Sequence, residues 1–431
     1  MESKSPTGLI RALGLGALIV YGVGDILGAG IYTIIGKISG HAGELTWLSF
    51  AIAMSIVFLT ALTYSELSSR YPRSGGVSIY VQEAFGKKWL SIIAGLLLFC
   101  ATLLSMSTVS HAFVGYLIAI GFQGPRWLGV ACFLLILMLI NLRGIKQSSL
   151  ANMISTLIEV SGLLMVLFFG IWYLATTHSE IIMRTSPGFI EVFRGAALAF
   201  FAFTGFEDLA NVAEEVKQPT KNLPRAILAS IGAAGLLYLS VSWVATAIIP
   251  GSVLSQSDAP LLEVMSKAHP AFPGYLFLII AIFAVSNTTL LNYITSSRLL
   301  YGMSKAKLMP NFLQKTHKKF HTPYMAILVI LPLVFGLNIT STLTELASST
   351  STMVLLIFCL SSASLIKIKL EEKKKNISIN TFKIPLFIPC LAIILNLTAI
   401  SFLPLGNIIP AVLFIISICL VTWFIKRRNL I

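Results

Sequence analysis

Two long apolar stretches of this chain are interrupted by glycine at matching places, each beside an acidic side chain. They read Gly24-Asp25-Ile26-Leu27-Gly28-Ala29-Gly30-Ile31 and Phe200-Phe201-Ala202-Phe203-Thr204-Gly205-Phe206-Glu207. Backbone that leaves a helix within lipid strands its amides and carbonyls without partners, so paired interruptions have to line a cavity inside the protein. Ala29 and Gly205 lie 176 residues apart, about the length of a five-helix repeat. Broken helices at corresponding positions of two repeats point to a binding site near the membrane midplane of a carrier.

Composition places these stretches in a membrane. The 431 residues are 56% hydrophobic and 11% charged, with a mean hydropathy of +0.87, whereas soluble domains carry roughly 25% charged residues. At about 20 apolar residues per span, an all-α polytopic protein of about twelve transmembrane helices is expected. The spans fall near 13–39, 45–67, 90–121, 127–141, 150–174, 190–213, 225–249, 271–302, 323–338, 343–366, 384–403 and 407–425. The first follows Lys4 and Arg11, is too long for a signal-peptide core and lacks a small-residue cleavage site, so it is expected to be retained. The longest polar connections, 303–322 and 367–383, are linkers, and no soluble domain fits.

The net charge of +14 could suggest nucleic acid, but its distribution is topological. With the N-terminus inside, 26 of the 31 basic residues fall on the cytoplasmic side, and Lys37, Arg126, Arg184, Arg194 and Lys267 fall outside. That asymmetry follows the positive-inside rule and puts both termini in the cytoplasm of a cell-membrane protein. Membrane lipid is the expected surroundings, and no nucleic-acid partner is implied. The five cysteines all lie in apolar spans without C-x-x-C spacing, so neither a metal site nor a disulfide frame is indicated. His317 and His321 have H-x-x-x-H spacing but lack the glutamate of a zinc protease, which leaves a solvated loop as the better reading.

The stretch from Tyr64 to Gly86 reads Y-x-E-L-x-x-x-x-P-x-S-G-G-x-x-x-Y-x-x-x-x-F-G, and Gly75-Gly76 within it would permit a tight turn. Glu214-Glu215-Val216-Lys217-Gln218-Pro219 follows the sixth span. Ser297-Arg298-Leu299-Leu300-Tyr301-Gly302, with Leu308-Met309-Pro310 and Thr322-Pro323-Tyr324, leaves the eighth. Over at least residues 8–325 the chain resembles the amino acid–polyamine–organocation (APC) permeases, in particular bacterial members of the cationic amino acid transporter type. The resemblance implies a bacterial leucine-transporter-like fold working by alternating access. Its parts would be a cytoplasmic N-terminus (1–12), two inverted five-helix repeats (13–174 and 190–366) with helices 1 and 6 broken, two extra helices (384–425) and a cytoplasmic tail (426–431).

The chemistry of the breaks can be argued separately. At Gly28-Ala29-Gly30 a half-helix presents unpaired N–H groups and the positive end of its dipole, which suits a carboxylate. Carbonyls freed at Ile26, Leu27, Phe201 and Thr204, beside Gly205, would accept from an ammonium. An α-amino acid carries both groups. For a single glycine cluster, close helix packing of the small-x-x-x-small kind is the alternative, and Gly24-x-x-x-Gly28 fits it. By resemblance, Phe201 stands where the family has an aromatic gate, and Asn292 where some members carry a side-chain-sensing aromatic.

Asp25, Glu159 and Glu207 sit at membrane depth, where each would cost roughly 2.5–3.5 kcal/mol facing lipid, so each should face the bundle interior or water. Sodium-independent relatives often have a lysine where this chain has Glu159. That carboxyl could hold sodium together with first-span carbonyls and Thr288 or Thr289, or take up and release a proton, or serve as a fixed hydrogen-bonding group. Glu207 could link substrate binding to protonation, and Asp25 could meet a cationic side chain or steady the unwound segment. No nucleotide-binding loop, nucleophile elbow or cofactor motif is present, so an enzyme is not indicated and transport would draw on gradients. The expectation is a secondary carrier importing α-amino acids with a proton, or second with sodium. Exchange of amino acids or amines at the same site, and a receptor that binds without transporting, remain as alternatives.

Overall fold

A long apolar helix satisfies its own backbone, which is why a chain of this composition is built from helices in lipid. The computed structural model describes residues 11–177, 187–257, 259–340, 343–375 and 381–403. The first ten residues, the expected span at 407–425 and the tail 426–431 lie outside the described residues.

Helix α1 spans Leu15–Ala42, α2 Thr46–Arg70, α3 Gly76–Phe85, α4 Lys88–Ile120, α5 Arg126–Leu142 and α6 Ile145–Thr177. Helix α7 (Phe189–Ala202) gives way to short 3₁₀ turns at Phe206–Ala210 and Ala213–Glu215. Then come α8 (Pro219–Ile248), the single turn α9 (Gly251–Leu254), α10 (Pro260–Ala268), α11 (Gly274–Lys305), α12 (Tyr324–Thr340), α13 (Leu343–Lys375) and α14 (Phe387–Ser401). Among the described residues, eight segments are long and apolar enough to cross a membrane, and α5, α12 and α14 are shorter apolar helices. Each expected span between 13 and 403 overlaps a helix, the one at 190–213 being α-helical only to Ala202.

One element differs from expectation. Residues 76–85, which fall between the expected spans 45–67 and 90–121, form the separate buried helix α3. The turn before it uses Gly75 (φ 112°) and Gly76 (φ 41°), left-handed conformations that favour glycine. Space reinforces the choice, since a Cβ on Gly76 would lie 2.8 Å from the Asn211 amide oxygen.

Helix α1 is central and packs against α6, α7, α8 and α11. Its Tyr21, Leu27, Ile31 and Ile35 are fully buried. Outward-facing Leu135, Leu139, Leu157, Phe168, Trp172 and Leu236 are exposed, the inverse of a soluble surface and suited to lipid contact.

At the end of the bundle bearing the start of α1, buried charges lock elements together. Leu13 bridges the segment after α7: its N–H donates to the Glu215 carbonyl (3.0 Å), and its carbonyl accepts from the Lys217 N–H (2.8 Å). Arg298 of α11, fully buried, pairs with Glu215 (3.2 Å) and donates to the Asn141 side-chain oxygen at the end of α5 (2.8 Å). In a second cluster, buried Glu66 pairs with Arg70 and with Lys369 (2.8 Å) and accepts from the Ile384 N–H (2.8 Å), while Arg70 also pairs with Glu372. A buried ion pair is strongly destabilising when one partner is removed, by about 3–5 kcal/mol. Arg298→Met is therefore expected to lower the thermal midpoint of the detergent-purified protein sharply, and adding Glu215→Leu in the same chain should restore part of the loss.

Candidate functional site

The two interrupted segments meet. Helix α1 breaks at Gly28 (φ −6°, ψ −145°), and α7 ends at Ala202, before Gly205 (φ 120°). A Cβ on Gly30 would lie 2.8 Å from Ala202 Cα, and one on Gly205 would lie 2.9 Å from the Asp25 carbonyl oxygen. Gly28 faces the Thr288 hydroxyl of α11, and Gly24 faces Thr156, Asn152 and Asn287. Only glycine lets the backbones come this close.

Several groups freed by the breaks find partners within the protein. Tyr238 of α8, held by the rings of Phe203 (5.1 Å) and Phe50 (5.5 Å), sets its hydroxyl against the carbonyls of Ile26 and Ala202, the latter at 2.9 Å. A hydroxyl has one proton, so it serves one carbonyl at a time. The Gly205 N–H donates to the Glu207 carboxylate (2.9 Å), and the Phe201 carbonyl accepts from the Thr204 hydroxyl (2.8 Å). The carbonyls of Ile26 and Phe201, anticipated as free acceptors, thus already have internal donors.

A cavity lies where the breaks cross. Asp25, Ile26 and Gly30 line it from α1, and Phe201, Thr204, Gly205 and Glu207 from α7 and the turn that follows. Thr288 and Asn292 line it from α11. Phe201 is the one member of its phenylalanine cluster in this wall; Phe200, Phe203 and Phe206 are fully buried in the core. Asn292 is held in place by donating to Ser105 Oγ and to the Thr288 carbonyl, both at 3.1 Å.

Among the described residues, Leu27, Gly28, Glu159 and Thr289 do not line this cavity, and the Ala29 side chain lies outside what the structure describes. Thr289 is buried and donates to the Val285 carbonyl of its own helix (2.9 Å). Glu159 on α6 is fully buried, with no hydrogen-bond partner for either carboxylate oxygen among the described residues. The adjacent Asn287 amide donates to Thr156 (3.0 Å) and to the Gly24 carbonyl (3.4 Å) instead. Glu159 therefore stands behind the α1 break, one layer away from the cavity.

Sequence reasoning missed Asp208, Thr102, Ser105, Thr350 and Val354, all in the cavity wall. Asp208 was discoverable, being a second acid directly after Glu207 in an apolar stretch. The α4 and α13 residues are small or apolar and carry no local signal.

Residues 13–425 match the amino acid permease family. The chain belongs to that family. This permease is similar to cationic amino acid transporter 9, chloroplastic, of Arabidopsis thaliana, with 31% identity over 74% of this chain and 59% of the plant protein, so it spans less than two thirds of that relative. It is also similar to the branched-chain amino acid permease BcaP of Bacillus subtilis (30% identity, 98% of this chain and 94% of the relative). A methylthioribose transporter of the same bacterium is 29% identical over 75% of this chain and 73% of its own length. The relatives are named as transporters or permeases, and this permease is a multi-pass membrane transporter, not an enzyme.

The crossing gives a test in the permease itself. Gly30→Ala must push α1 away from the Ala202 backbone and is expected to cost about 1–3 kcal/mol. Gly232→Ala, in α8 with nothing within 4 Å of its added methyl, is expected to be neutral or to stabilise by up to about 1 kcal/mol. Thermal unfolding of the two variants in one detergent checks the contrast.

Proposed function

We propose that this permease imports α-amino acids across the cell membrane by alternating access, coupled to a proton carried by Glu159. The observation that carries the reading is the meeting of two broken helices, at Gly28 and Gly205, around one cavity. The amides near Gly28, Ala29 and Gly30 are proposed to receive the substrate carboxylate. The carbonyls of Ile26, Leu27, Phe201 and Thr204 receive its ammonium, a ligand displacing the internal donors of the first and third. Phe201 closes over the substrate, and Asn292 forms the polar part of the side-chain wall.

The coupling assignment rests on Glu159. A buried carboxylate with neither oxygen hydrogen-bonded is costly, so the group needs a proton or a cation. Its place behind the α1 break lets occupancy there bias the crossing of α1 and α11, with Thr288 against Gly28 and Thr289 one residue on. Glu207, holding the Gly205 N–H, is the proposed link between the second break and protonation. The proposed architecture has twelve spans, with inverted repeats at 13–174 and 190–366, two further spans at 384–425 and both termini cytoplasmic. The order of apolar helices and the bias of basic residues support it.

Purified protein in vesicles with an inward proton gradient is expected to accumulate labelled amino acid and to lose accumulation when a protonophore is added. Each pH unit is worth about 1.4 kcal/mol, or roughly tenfold accumulation at one proton per substrate. Glu159→Gln is expected to abolish accumulation while leaving exchange of preloaded substrate. Uptake that follows a sodium gradient would assign sodium to the same carboxylate, and uptake that requires preloading would make the protein an exchanger. No flux of any amino acid under any gradient would overturn the proposal.

A further inference from the structure

A second cavity, about 480 Å³ in volume, lies at the end of the bundle bearing the start of α1. Its wall gathers Arg11 from before α1, Arg73 and Ser74 from the turn between α2 and α3, Glu83 from α3, Glu214 from beyond the α7 break and Lys305 from the end of α11. Gly302 of α11 lies against the Ser74–Gly75 backbone, where a Cβ would collide, so the turn and α11 form one continuous wall. The proposed transport cycle uses none of these side chains.

Charge and hydrogen bonding in this wall do not close. Among the described lining residues, three are cationic and two acidic. Arg73 pairs with Glu83 (3.4 Å) and Lys305 with Glu214 (3.6 Å), which leaves Arg11 with no acid in the wall to balance it. Arg11 Nε, Lys305 Nζ and Ser74 Oγ are buried atoms without a hydrogen-bond partner among the described residues. These donors come from three separate elements, and their directions suit a tetrahedral oxyanion better than a planar carboxylate. Arginine in particular offers a fork of donors matched to phosphate oxygens, and a partly enclosed excess cation draws anions to it. Glu214 Oε1 already accepts from the Ser74 N–H (3.2 Å), but its Oε2 has no hydrogen bond, so one acceptor stands open beside the donors. That acceptor suits a hydroxyl on the same ligand. We infer that this cavity is a binding site for a hydroxyl-bearing phosphate compound, its phosphate held by Arg11, Lys305 and Ser74. Such a ligand ties the segment before α1 to the α2–α3 turn and the end of α11, and so favours the arrangement in which the three meet.

Thermal unfolding of the full-length protein tests this. In detergent, chloride is replaced by inorganic phosphate or glycerol 3-phosphate at constant ionic strength; in nanodiscs, phosphatidylcholine is compared with a mixture containing phosphatidylglycerol. Wild type is set beside Arg11→Gln, Lys305→Gln and the control Lys315→Gln, whose exposed side chain lies outside the cavity. A ligand that binds only the folded state raises the midpoint as its concentration rises. The expected result is a saturable rise in wild type and in the control, with half-saturation roughly tenfold to a hundredfold weaker in Arg11→Gln, the range of hydrogen bonds to a charged group. A rise with the soluble compounds assigns the site to a free phosphate ester, and a rise with phosphatidylglycerol alone assigns it to a lipid headgroup. Phosphate also stabilises folded proteins through exclusion from their surface, an effect shared by every variant. An unchanged response in Arg11→Gln would therefore overturn the inference, and Lys305→Gln gives the same reading should Arg11→Gln not fold. No rise in wild type with any of these probes would also overturn it. Neither failure touches the proposed import of amino acids, which this measurement does not use.

Discussion

Backbone that leaves a helix inside a low-dielectric medium has to find hydrogen bonds nearby, and every feature of this site follows from how two such segments satisfy that demand. Neither break could stand alone. The Ile26 carbonyl on α1 and the Ala202 carbonyl on α7 share the single proton of Tyr238, and Gly205 is capped by Glu207. Gly30 and Gly205 let the segments touch where any side chain would intrude. The cavity is what remains of the crossing after these contacts are made. The two segments line it with Asp25, Phe201, Glu207 and Asp208, and residues of α4, α11 and α13 complete the wall.

The distribution of buried charge divides the molecule by role. Near the start of α1, Arg298 has Glu215, and Glu66 has Arg70 and Lys369, so each charge meets its opposite and the elements are fixed relative to one another. In the middle of the bundle, one carboxylate oxygen of Asp25, one of Asp208 and both of Glu159 have no hydrogen-bond donor among the described residues. Both groups are comparably buried, so burial alone does not distinguish them; the balance of charge does. A balanced cluster stabilises one arrangement. An unbalanced one would favour an arrangement that supplies a cation, and under the proposed function this is the differential affinity that alternating access requires.

Much of this was legible in the sequence because the signals are local. Apolar length gave the helices between 13 and 403, and the glycine interruptions gave the positions of both breaks. Asp25, Thr204 and Glu207 were named from the broken segments, Phe201 and Asn292 by the family resemblance and Thr288 as a companion of Glu159, and all six share one cavity. What escaped notice depends on three-dimensional register. Tyr238 is one tyrosine in a long apolar helix, and nothing near it in the chain announces that its hydroxyl ends between two carbonyls 212 and 36 residues away. Thr102, Ser105 and Thr350 are small polar residues of a type that occurs throughout membrane helices. Helix α3 escaped because its ten residues are too few to span lipid, and its burial depends on α4 and α13 packing over it. Glu159 was legible as a buried acid, but that it does not line the cavity was not, because this depends on how α6 packs against α1.

The glycines of α1 bear on the choice between helix packing and ligand binding as explanations for such clusters. Gly24 approaches Asn152, Thr156 and Asn287, Gly28 approaches Thr288, and Gly30 approaches Ala202, so three neighbouring glycines admit three different partners. A simple packing motif would place one partner helix along one face. Here Gly24 and Gly30, less than two turns apart, serve contacts with different helices, and Gly28 between them is the point where the backbone departs from the helix. The change of direction allows one strand of chain to press closely on α6, α11 and α7 within seven residues. Close packing and the break are thus one device. Without the near contacts the freed backbone would lack partners, and without the break one helix could not reach all three neighbours. A substitution at any of these glycines therefore alters the cavity and the fold together.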